Sequence, residues 1–373
     1  MGTLTFSSAS RDHLRRSSRG VFARGITRQF SVIALGAATV LAAVAAPRAA
    51  EAQTPVPELD QPFTWVEEFD SPDALDGWNI FRRTDYNNPD ALYTDRALSI
   101  EDGKLIITTQ RHCVDEDIDL SDPATHHLLT EENAQVEPCA PGQFQKFTSG
   151  RVQSPDVARG EFDVSVTASF DTGDVNGVRS AIWMQNDHPA CSSGPQDSLY
   201  GELDLIEHFS YEARAPWSPS NTHLGCAPLG QNGTNNAPRE LRLAESLSGQ
   251  RHTWRARTST AGVGYFLDDQ PIDRRSWNNN DRLGHARVAD FNLSQGRYEQ
   301  IIDRPWKVIL NQKVENAGWT HPRRADEDFP VRTMTVERIV VTGEPLGELT
   351  PVTGSGAIPA FSSIAPWFGP FGS

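Results

Sequence analysis

The densest group of reactive side chains in this sequence is the segment GELDLIEHF, residues 201–209, which carries three acids. Glu202, Asp204 and Glu207 are separated only by Leu and Ile residues. When carboxyl groups lie close together, one can attack an electrophilic carbon while another, kept protonated, gives its proton to a leaving oxygen. Repulsion among three acids favours this division of roles, because it raises the pKa of at least one of them. The spacing therefore predicts a site of combined nucleophilic and acid–base chemistry.

The segment must form a strand with one irregularity if the three acids are to act together. Alternate residues of a strand share a face, so Glu202 and Asp204 point the same way. Glu207 is five residues after Glu202 and points the opposite way in a regular strand. One extra residue, a β-bulge near Leu205 and Ile206, returns it to the same face. We therefore expect such a bulge; an exposed acidic strand or a calcium site is the alternative explanation of the same acids.

Short segments of alternating polarity recur between residues 55 and 346 and predict the elements that must position this strand. In EFDVSVTASF, residues 161–170, the apolar residues fall on one face with a period of two, as in a half-buried strand. Turn signals such as Asp102-Gly103 separate these segments, and a short helix is expected only at residues 238–246. The pattern predicts an all-β sandwich or barrel. Further strand-like segments are residues 104–110, 180–185, 263–269, 306–312 and 332–343.

The two ends of the chain differ from this central region. Residues 1–52 combine a basic start, an apolar run at 32–46 and the sequence Ala50-Glu51-Ala52, which together are typical of a cleaved signal peptide. The apolar run is short for a membrane span, and an uncleaved anchor is the alternative. We expect residues 53–346 to be the catalytic domain and residues 347–373, rich in Gly, Pro and Ser, to be a poorly ordered tail. A secreted protein with no membrane partner after signal cleavage follows.

The charge of the chain limits its partners. The net charge is −15, and removal of the basic leader makes the remainder more negative still. A protein of this charge repels polyanions, which argues against nucleic acid and anionic lipid. The same argument disfavours a sulfated or uronic polysaccharide, unless a local basic cleft overrides the average.

The four cysteines are all in the central region and predict disulfides in an exported protein. Three pairings are possible. We favour Cys113–Cys139 together with Cys191–Cys226, because each of these bonds closes a local loop. A zinc site is the alternative, but the sequence has no pair of cysteines with two residues between them.

The order Glu-x-Asp-x-x-Glu at residues 202–207 resembles the signature of glycoside hydrolase family 16, in the β-bulged branch that contains laminarinases, agarases and κ-carrageenases. The resemblance extends over most of the chain after the leader. It implies a β-jelly-roll of two stacked antiparallel sheets with a concave substrate groove. The similar stretches are FTWVEEFDSPDALDGW at 63–78, FTSGRVQS at 147–154, AIWM at 181–184, RPWKVILNQ at 304–312 and TMTVERIVV at 333–341.

The resemblance also implies roles for individual residues. Glu202 is the expected nucleophile, Glu207 the general acid/base and Asp204 their electrostatic helper, in a reaction that retains anomeric configuration with carboxyl groups about 5–5.5 Å apart. No cofactor is implied for catalysis. The expected substrate-binding residues are Trp183, Arg179, His223, Arg151, Asn311 and Gln312. The expected ligands of a structural calcium ion are Glu68, the backbone of Gly103, and Glu337.

Arg179 departs from the family pattern, because laminarinase-like members usually have a tryptophan there that stacks on sugar. It could pair with Asp187 or with a carboxylate of the site, or it could recognise an acidic or hydroxyl-rich substituent. The sequence thus predicts a secreted, monomeric, endo-acting β-glycanase for β-1,3- or mixed-linkage glucan, with a galactan such as agar second. A transglycosylase, a non-catalytic carbohydrate-binding module and a calcium-dependent adhesion domain are the alternatives.

Overall fold

The structure is a computed structural model and describes most of the chain between residues 55 and 347. The expected leader, Cys191 and the tail after residue 347 lie outside the described residues. No helix within the described residues is both long enough and apolar enough to cross a bilayer. The described ranges are 55–85, 87–171, 177–188, 199–209, 217–226, 234–236, 239–242, 247–272, 286–291, 293–316 and 326–347.

Strands dominate these ranges. A single α-helix, α1 (Gln295–Ile302), occurs within them, and short 3-10 helices lie at Asp95–Ala97, Pro123–Leu128, Glu131–Asn133 and Val288–Phe291. The strands are β1 (Phe63–Glu67), β2 (Asn79–Ile80), β3 (Arg83–Asp85), β4 (Asn88–Tyr93), β5 (Leu98–Glu101), β6 (Lys104–Val114), β7 (Phe144–Ser149), β8 (Arg151–Gln153), β9 (Glu161–Asp171), β10 (Val178–Asn186), β11 (Gly201–Phe209), β12 (Trp217–Cys226), β13 (Thr234–Asn236), β14 (Arg239–Arg242), β15 (Arg251–Ser259), β16 (Gly262–Leu267), β17 (Gln270–Pro271), β18 (Ala286–Arg287), β19 (Trp306–Val314) and β20 (Arg332–Glu344).

The strands form two sheets. The larger has the order β17-β16-β15-β9-β20-β6-β7-β4-β3, with β1 on β20, β5 on β6 and β18 on β16. The smaller has the order β13-β12-β11-β10-β19-β8-β2, with β14 on β12. Among the described strands all pairs are antiparallel except β4 and β7, which are parallel. This arrangement confirms the expected all-β sandwich of the jelly-roll type.

The hydrophobic core lies between the two sheets. In β9 the five apolar residues that alternate along the strand are all buried, as the period of two predicts. They pack in one cluster with inward residues of the smaller sheet such as Ile182, Leu203 and Leu310. Full burial of one such aliphatic side chain stabilises the fold by about 1.5–3 kcal/mol. The opposite face of the smaller sheet, here called the outer face, is left for polar residues.

One disulfide is placed as expected. Cys113 and Cys139 are bonded, with their Cα atoms 5.4 Å apart. The bond closes the loop between β6 and β7, and Arg111 supports that loop by donating to the backbone carbonyls of Val136 and Glu137. Cys226 is disulfide-bonded as well. Its expected partner, Cys191, lies outside the described residues.

The helices differ from the sequence expectation. Instead of a helix at 238–246, residues 239–242 form β14, which pairs with the first part of β12. Hydrogen bonding to a sheet edge outweighs weak helix propensity in so short a segment. The helix α1 was not expected, although Ser294 caps it by accepting from the amide of Arg297. Its inward residues Tyr298, Ile301 and Ile302 have the spacing of a helix face.

Candidate active site

The strand β11 carries the three acids and contains the predicted bulge. In its pairing with β10, Ile206 lies opposite Ile182, but the next pair is Asp204 with Trp183. Leu205 is therefore the extra residue, and the two halves of the strand have opposite alternation. As a result all three acids lie on the outer face, while the apolar residues between them are buried. The structure thus confirms the bulge and the shared face.

Packing against the core fixes the first half of β11. Leu203 is fully buried in the core. Gly201 lies directly on the ring of Trp306, where an added Cβ would be only 2.4 Å from the Cη2 atom. A side chain at this position would push the strand away from Trp306, so the glycine next to Glu202 is required by close approach.

Tyr200 holds the carboxylate of Glu202. Its hydroxyl donates a hydrogen bond to Oε2 of Glu202. Burial, and then the negative charge of Glu202, raise the pKa of Tyr200 far above its usual value, so the hydroxyl keeps its proton and remains a donor. Sequence reasoning missed Tyr200. The available signal was its position two residues before Glu202, since residues two apart in a strand share a face.

Asp204 and His223 form the centre of the acidic cluster. His223 lies opposite Glu202 in the β11–β12 pairing, and its Nε2 is 3.3 Å from Oδ2 of Asp204 and 3.7 Å from Oε1 of Glu202. The resemblance implies that this histidine binds substrate; in the structure it contacts two of the three acids. Burial and the charges of Glu202 and Glu207 raise the pKa of Asp204 to about 8.

The same charges act on the histidine. Burial alone would lower the pKa of His223, but its hydrogen bond to Asp204 and the nearby carboxylates outweigh burial and raise it to about 9. The pKa values of Asp204 and His223 are thus both raised. The cluster therefore keeps protons at a pH where an isolated aspartate would have lost its proton, as the crowding of three acids predicts. The acid with the raised pKa is Asp204, the expected electrostatic helper.

Arg179 contacts Glu207. Its Nη1 donates to Oε1 of Glu207 at 2.6 Å, and its Nε lies 3.0 Å from Oε1 of Glu315. Of the alternatives open for Arg179, the structure shows the ion pair with an acid of the site. Asp187 is bound instead by Arg304, at 2.6 Å.

Trp183, Asn311 and Arg151 lie together on the outer face beside the acids. The indole Nε1 of Trp183 donates to Oδ1 of Asn311 at 2.8 Å. The guanidinium of Arg151 lies between two rings, 5.0 Å from the centre of Trp183 and 4.4 Å from that of Phe81. Arg151, Asn311 and Glu207 belong to one row across adjacent strands, with Ala181 between the last two. The structure thus brings the expected residues Trp183, Asn311 and Arg151 to the site.

Gln312 is a correction. It is fully buried on the inward side of β19, with its amide within hydrogen-bonding distance of Thr109 and Ser180. Adjacent residues of a strand point to opposite faces, so Asn311 and Gln312 cannot both line the outer face. The expectation that Gln312 binds substrate is therefore wrong.

The two carboxylates among the expected calcium ligands form ion pairs with basic side chains. Glu68 pairs with Arg338 at 2.9 Å. Glu337 pairs with Lys104 at 3.1 Å and with Arg251 at 2.5 Å. Calcium needs about six to eight oxygen ligands and gains most from carboxylates that are not already neutralised. As placed, both carboxylates are already paired with basic side chains.

Gly103, the third expected ligand, lies in the turn between β5 and β6, with a φ of 71°. Its conformation is one that favours glycine, which accounts for this residue without a metal. Calcium binding at Glu68, Gly103 and Glu337 stays a prediction, and no step of the chemistry depends on it.

No protein-family model matches this chain, and no curated protein matches its sequence. Solved structures do match. The laminarinase catalytic domain of Thermotoga maritima MSB8 is 17% identical, with a TM-score of 0.52 over 78% of this chain and 99% of that one. The endo-1,3-beta-glucanase (laminarinase) catalytic domain of Thermotoga petrophila RKU-1 has the same identity and coverage, with a TM-score of 0.51.

The endo-beta-1,3-glucanase of Pyrococcus furiosus is similar at 16% identity, with a TM-score of 0.51 over 74% of this chain and 92% of that one. Likeness at this level of identity establishes the architecture. The chain therefore has the fold of these β-1,3-glucanases, with its three acids on the outer face of the smaller sheet.

Proposed function

We propose that this protein is a secreted, retaining β-glycanase of the family 16 type that hydrolyses β-1,3- or mixed-linkage β-glucan. One observation carries the proposal: the bulge at Leu205 places Glu202, Asp204 and Glu207 on one face of β11. The solved β-1,3-glucanases of the same fold support the choice of substrate. Secretion rests on the leader at residues 1–52.

Each side chain has a role in the proposed reaction. Glu202 attacks the anomeric carbon while Glu207 gives a proton to the departing glycosidic oxygen, which leaves a glycosyl group on Glu202. Glu207 then takes a proton from water, the water oxygen attacks the same carbon, and Glu202 departs as a carboxylate. The Tyr200 hydroxyl stabilises that carboxylate. Protonated Asp204 adds no negative charge beside it.

An adhesion domain would need the acids as metal ligands. The ligand atoms of Glu202, Asp204 and His223 lie within 4.8 Å of one another, so their geometry alone allows an ion. A metal binds the deprotonated forms of these ligands, so an ion here would displace protons and its binding would weaken as pH falls. We expect hydrolysis to survive EDTA. Loss of glycan binding in EDTA, with no hydrolysis in its absence, would favour the adhesion domain.

The test of the proposal is a panel of polysaccharides with detection of new reducing ends. Laminarin and a mixed-linkage β-glucan should be hydrolysed, with agarose as the galactan alternative. Glu202→Gln should abolish the formation of new reducing ends while leaving the circular dichroism spectrum unchanged. Glu337→Gln, on the larger sheet, is the matched control and should retain activity. Near-normal turnover by Glu202→Gln would overturn the assignment of the nucleophile.

The panel also separates the remaining alternatives. Transfer products formed at high concentrations of an oligosaccharide acceptor would indicate transglycosylation. Binding of a polysaccharide without any new reducing ends, from the wild-type protein, would indicate a carbohydrate-binding module.

A further inference from the structure

We propose that Arg179 and Glu315 form a clamp that fixes the side chain of Glu207, with Glu315 acting as a positioning residue for the proposed acid/base. This inference rests on the proposed function and deepens it. Neither the acid spacing nor the fold calls for such a clamp. It depends on a side chain from each of three adjacent segments of the smaller sheet.

The clamp is built on neighbouring strands. Arg179 is on β10, Glu207 is on the adjacent β11, and Glu315 follows the last residue of β19, which flanks β10 on the other side. The backbone amide of Glu315 donates to the carbonyl of Gly177 at 2.7 Å, which continues the β10–β19 ladder by one more bond. The backbone of Glu315 is thus fixed relative to Arg179. A residue in a mobile loop could not orient a charge in this way.

One guanidinium contacts both acids, in two different ways. Nη1 of Arg179 donates a hydrogen bond to Glu207 at 2.6 Å, whereas Nε lies 3.0 Å from Oε1 of Glu315 in an ion pair without hydrogen-bond geometry. The side chains are 21% exposed for Arg179, 27% for Glu207 and 9% for Glu315, so water screens these pairs less than it screens surface pairs. A lysine has a single ammonium on a flexible stem and cannot place one nitrogen against Glu207 and another beside Glu315.

The clamp leaves one oxygen of Glu207 available. Oε1 is engaged by Arg179, whereas Oε2 has no hydrogen-bond partner among the described residues. Glu315 also attracts Lys313, whose Nζ lies 3.5 Å from it, so the second acid of the clamp is not left with unbalanced charge. With Oε1 fixed, the direction of Oε2 is fixed too. Oε2 is then the atom that delivers the proton to the leaving oxygen.

A positioning role for the proton donor makes a specific kinetic prediction. A substrate with a poor leaving group needs the proton from Glu207, whereas an aryl glycoside with an acidic phenol leaves without it. Misplacing Glu207 should therefore slow the first step with the poor leaving group and spare that step with the aryl glycoside. The second step, in which Glu207 takes a proton from water, is common to both substrates. General damage to the fold would slow both substrates equally.

The experiment compares kcat/KM, which reports the first step, for laminarin and for 2,4-dinitrophenyl β-laminaribioside in wild type, Glu315→Gln, Arg179→Met and Arg179→Lys. We expect kcat/KM of the three variants to fall tenfold or more on laminarin, given the hundredfold or larger contribution of general acid catalysis. On the aryl glycoside it should fall less than about threefold. Arg179→Lys should resemble Arg179→Met, because a single ammonium does not restore both contacts.

Arg255→Met is the matched control, since Arg255 also bridges two acids, Asp163 and Asp269, but on the larger sheet. Both of its rates should stay within twofold of wild type. An equal loss on both substrates in Glu315→Gln, or no loss on either, would overturn the clamp. Absence of turnover by the wild-type protein on both substrates would instead overturn the proposed function.

Discussion

The buried aspartate at the centre of the site predicts a pH-dependent stability. The pKa of Asp204 is raised to about 8 by burial and by Glu202 and Glu207, whereas in the unfolded chain it is about 3.9. Between these values the folded state holds one proton more than the unfolded state. The free energy of unfolding therefore falls as pH rises, by about 1.4 kcal/mol per pH unit.

The magnitude follows from the pH interval. From pH 5 to pH 8 one retained proton changes the free energy of unfolding by about 4 kcal/mol at most. His223 shares protons with Asp204, so the cluster titrates jointly, and we expect about 2–4 kcal/mol. Asp204→Asn mimics the protonated acid and removes this dependence. The variant should match the wild type near pH 5 and be more stable by that amount at pH 8.

The assay is urea denaturation of the wild type and Asp204→Asn at pH 5, 6, 7 and 8. Glu337→Gln is the control, because contacts with Arg251 and Lys104 outweigh burial and lower the pKa of Glu337. A lowered pKa contributes stability above the unfolded value and loses it only as pH falls through the folded value. The effect of Glu337→Gln should therefore be nearly constant from pH 6 to pH 8. A constant difference between Asp204→Asn and wild type over the whole range would refute the reasoning.

Further predictions concern the supports of the site. Tyr200→Phe should lower kcat on laminarin by about tenfold to a hundredfold, as loss of a hydrogen bond to a charged group costs about 1.5–3 kcal/mol, and circular dichroism should show an intact fold. Deleting Leu205 should abolish hydrolysis and lower the midpoint of thermal unfolding, whereas Leu205→Ala should keep most of the activity. Replacing both cysteines of the 113–139 disulfide with serine should lower the free energy of unfolding by about 3.5 kcal/mol in urea, for a separation of 26 residues, with no change in KM.

The bulge was predictable because it is a local property of nine residues. The acids and the apolar residues of β11 change their alternation once, between Asp204 and Glu207, and only an extra residue reconciles both halves with one buried face. The sandwich was predictable for a similar reason, since alternating polarity is visible within each strand. Strand alternation also excludes Gln312 from the outer face, because it is adjacent to Asn311 and so must point the other way.

The clamp and the tyrosine were less accessible to sequence reasoning. Glu315 lies more than a hundred residues from Glu207 in the chain, and only the order of strands in the smaller sheet brings them together. No periodicity encodes that order. Arg179 was recognised as unusual, but its partners depended on which strands flank β10. The helix expected at residues 238–246 failed for the same reason, because the edge available to residues 239–242 is a tertiary feature.

The bulge at Leu205 has a consequence for how the strand finds its place. In a regular strand, sliding by one residue exchanges the buried and exposed faces as a whole. In β11 the halves on either side of Leu205 have opposite alternation. If the strand paired straight through Leu205, apolar residues of one half would turn to the outer face or an acid of the other half would turn into the core. The strand thus specifies its own register, and it does so with the residues that form the site. Regain of glycanase activity after refolding would therefore report correct registration of β10 and β11, and not merely recovery of compactness.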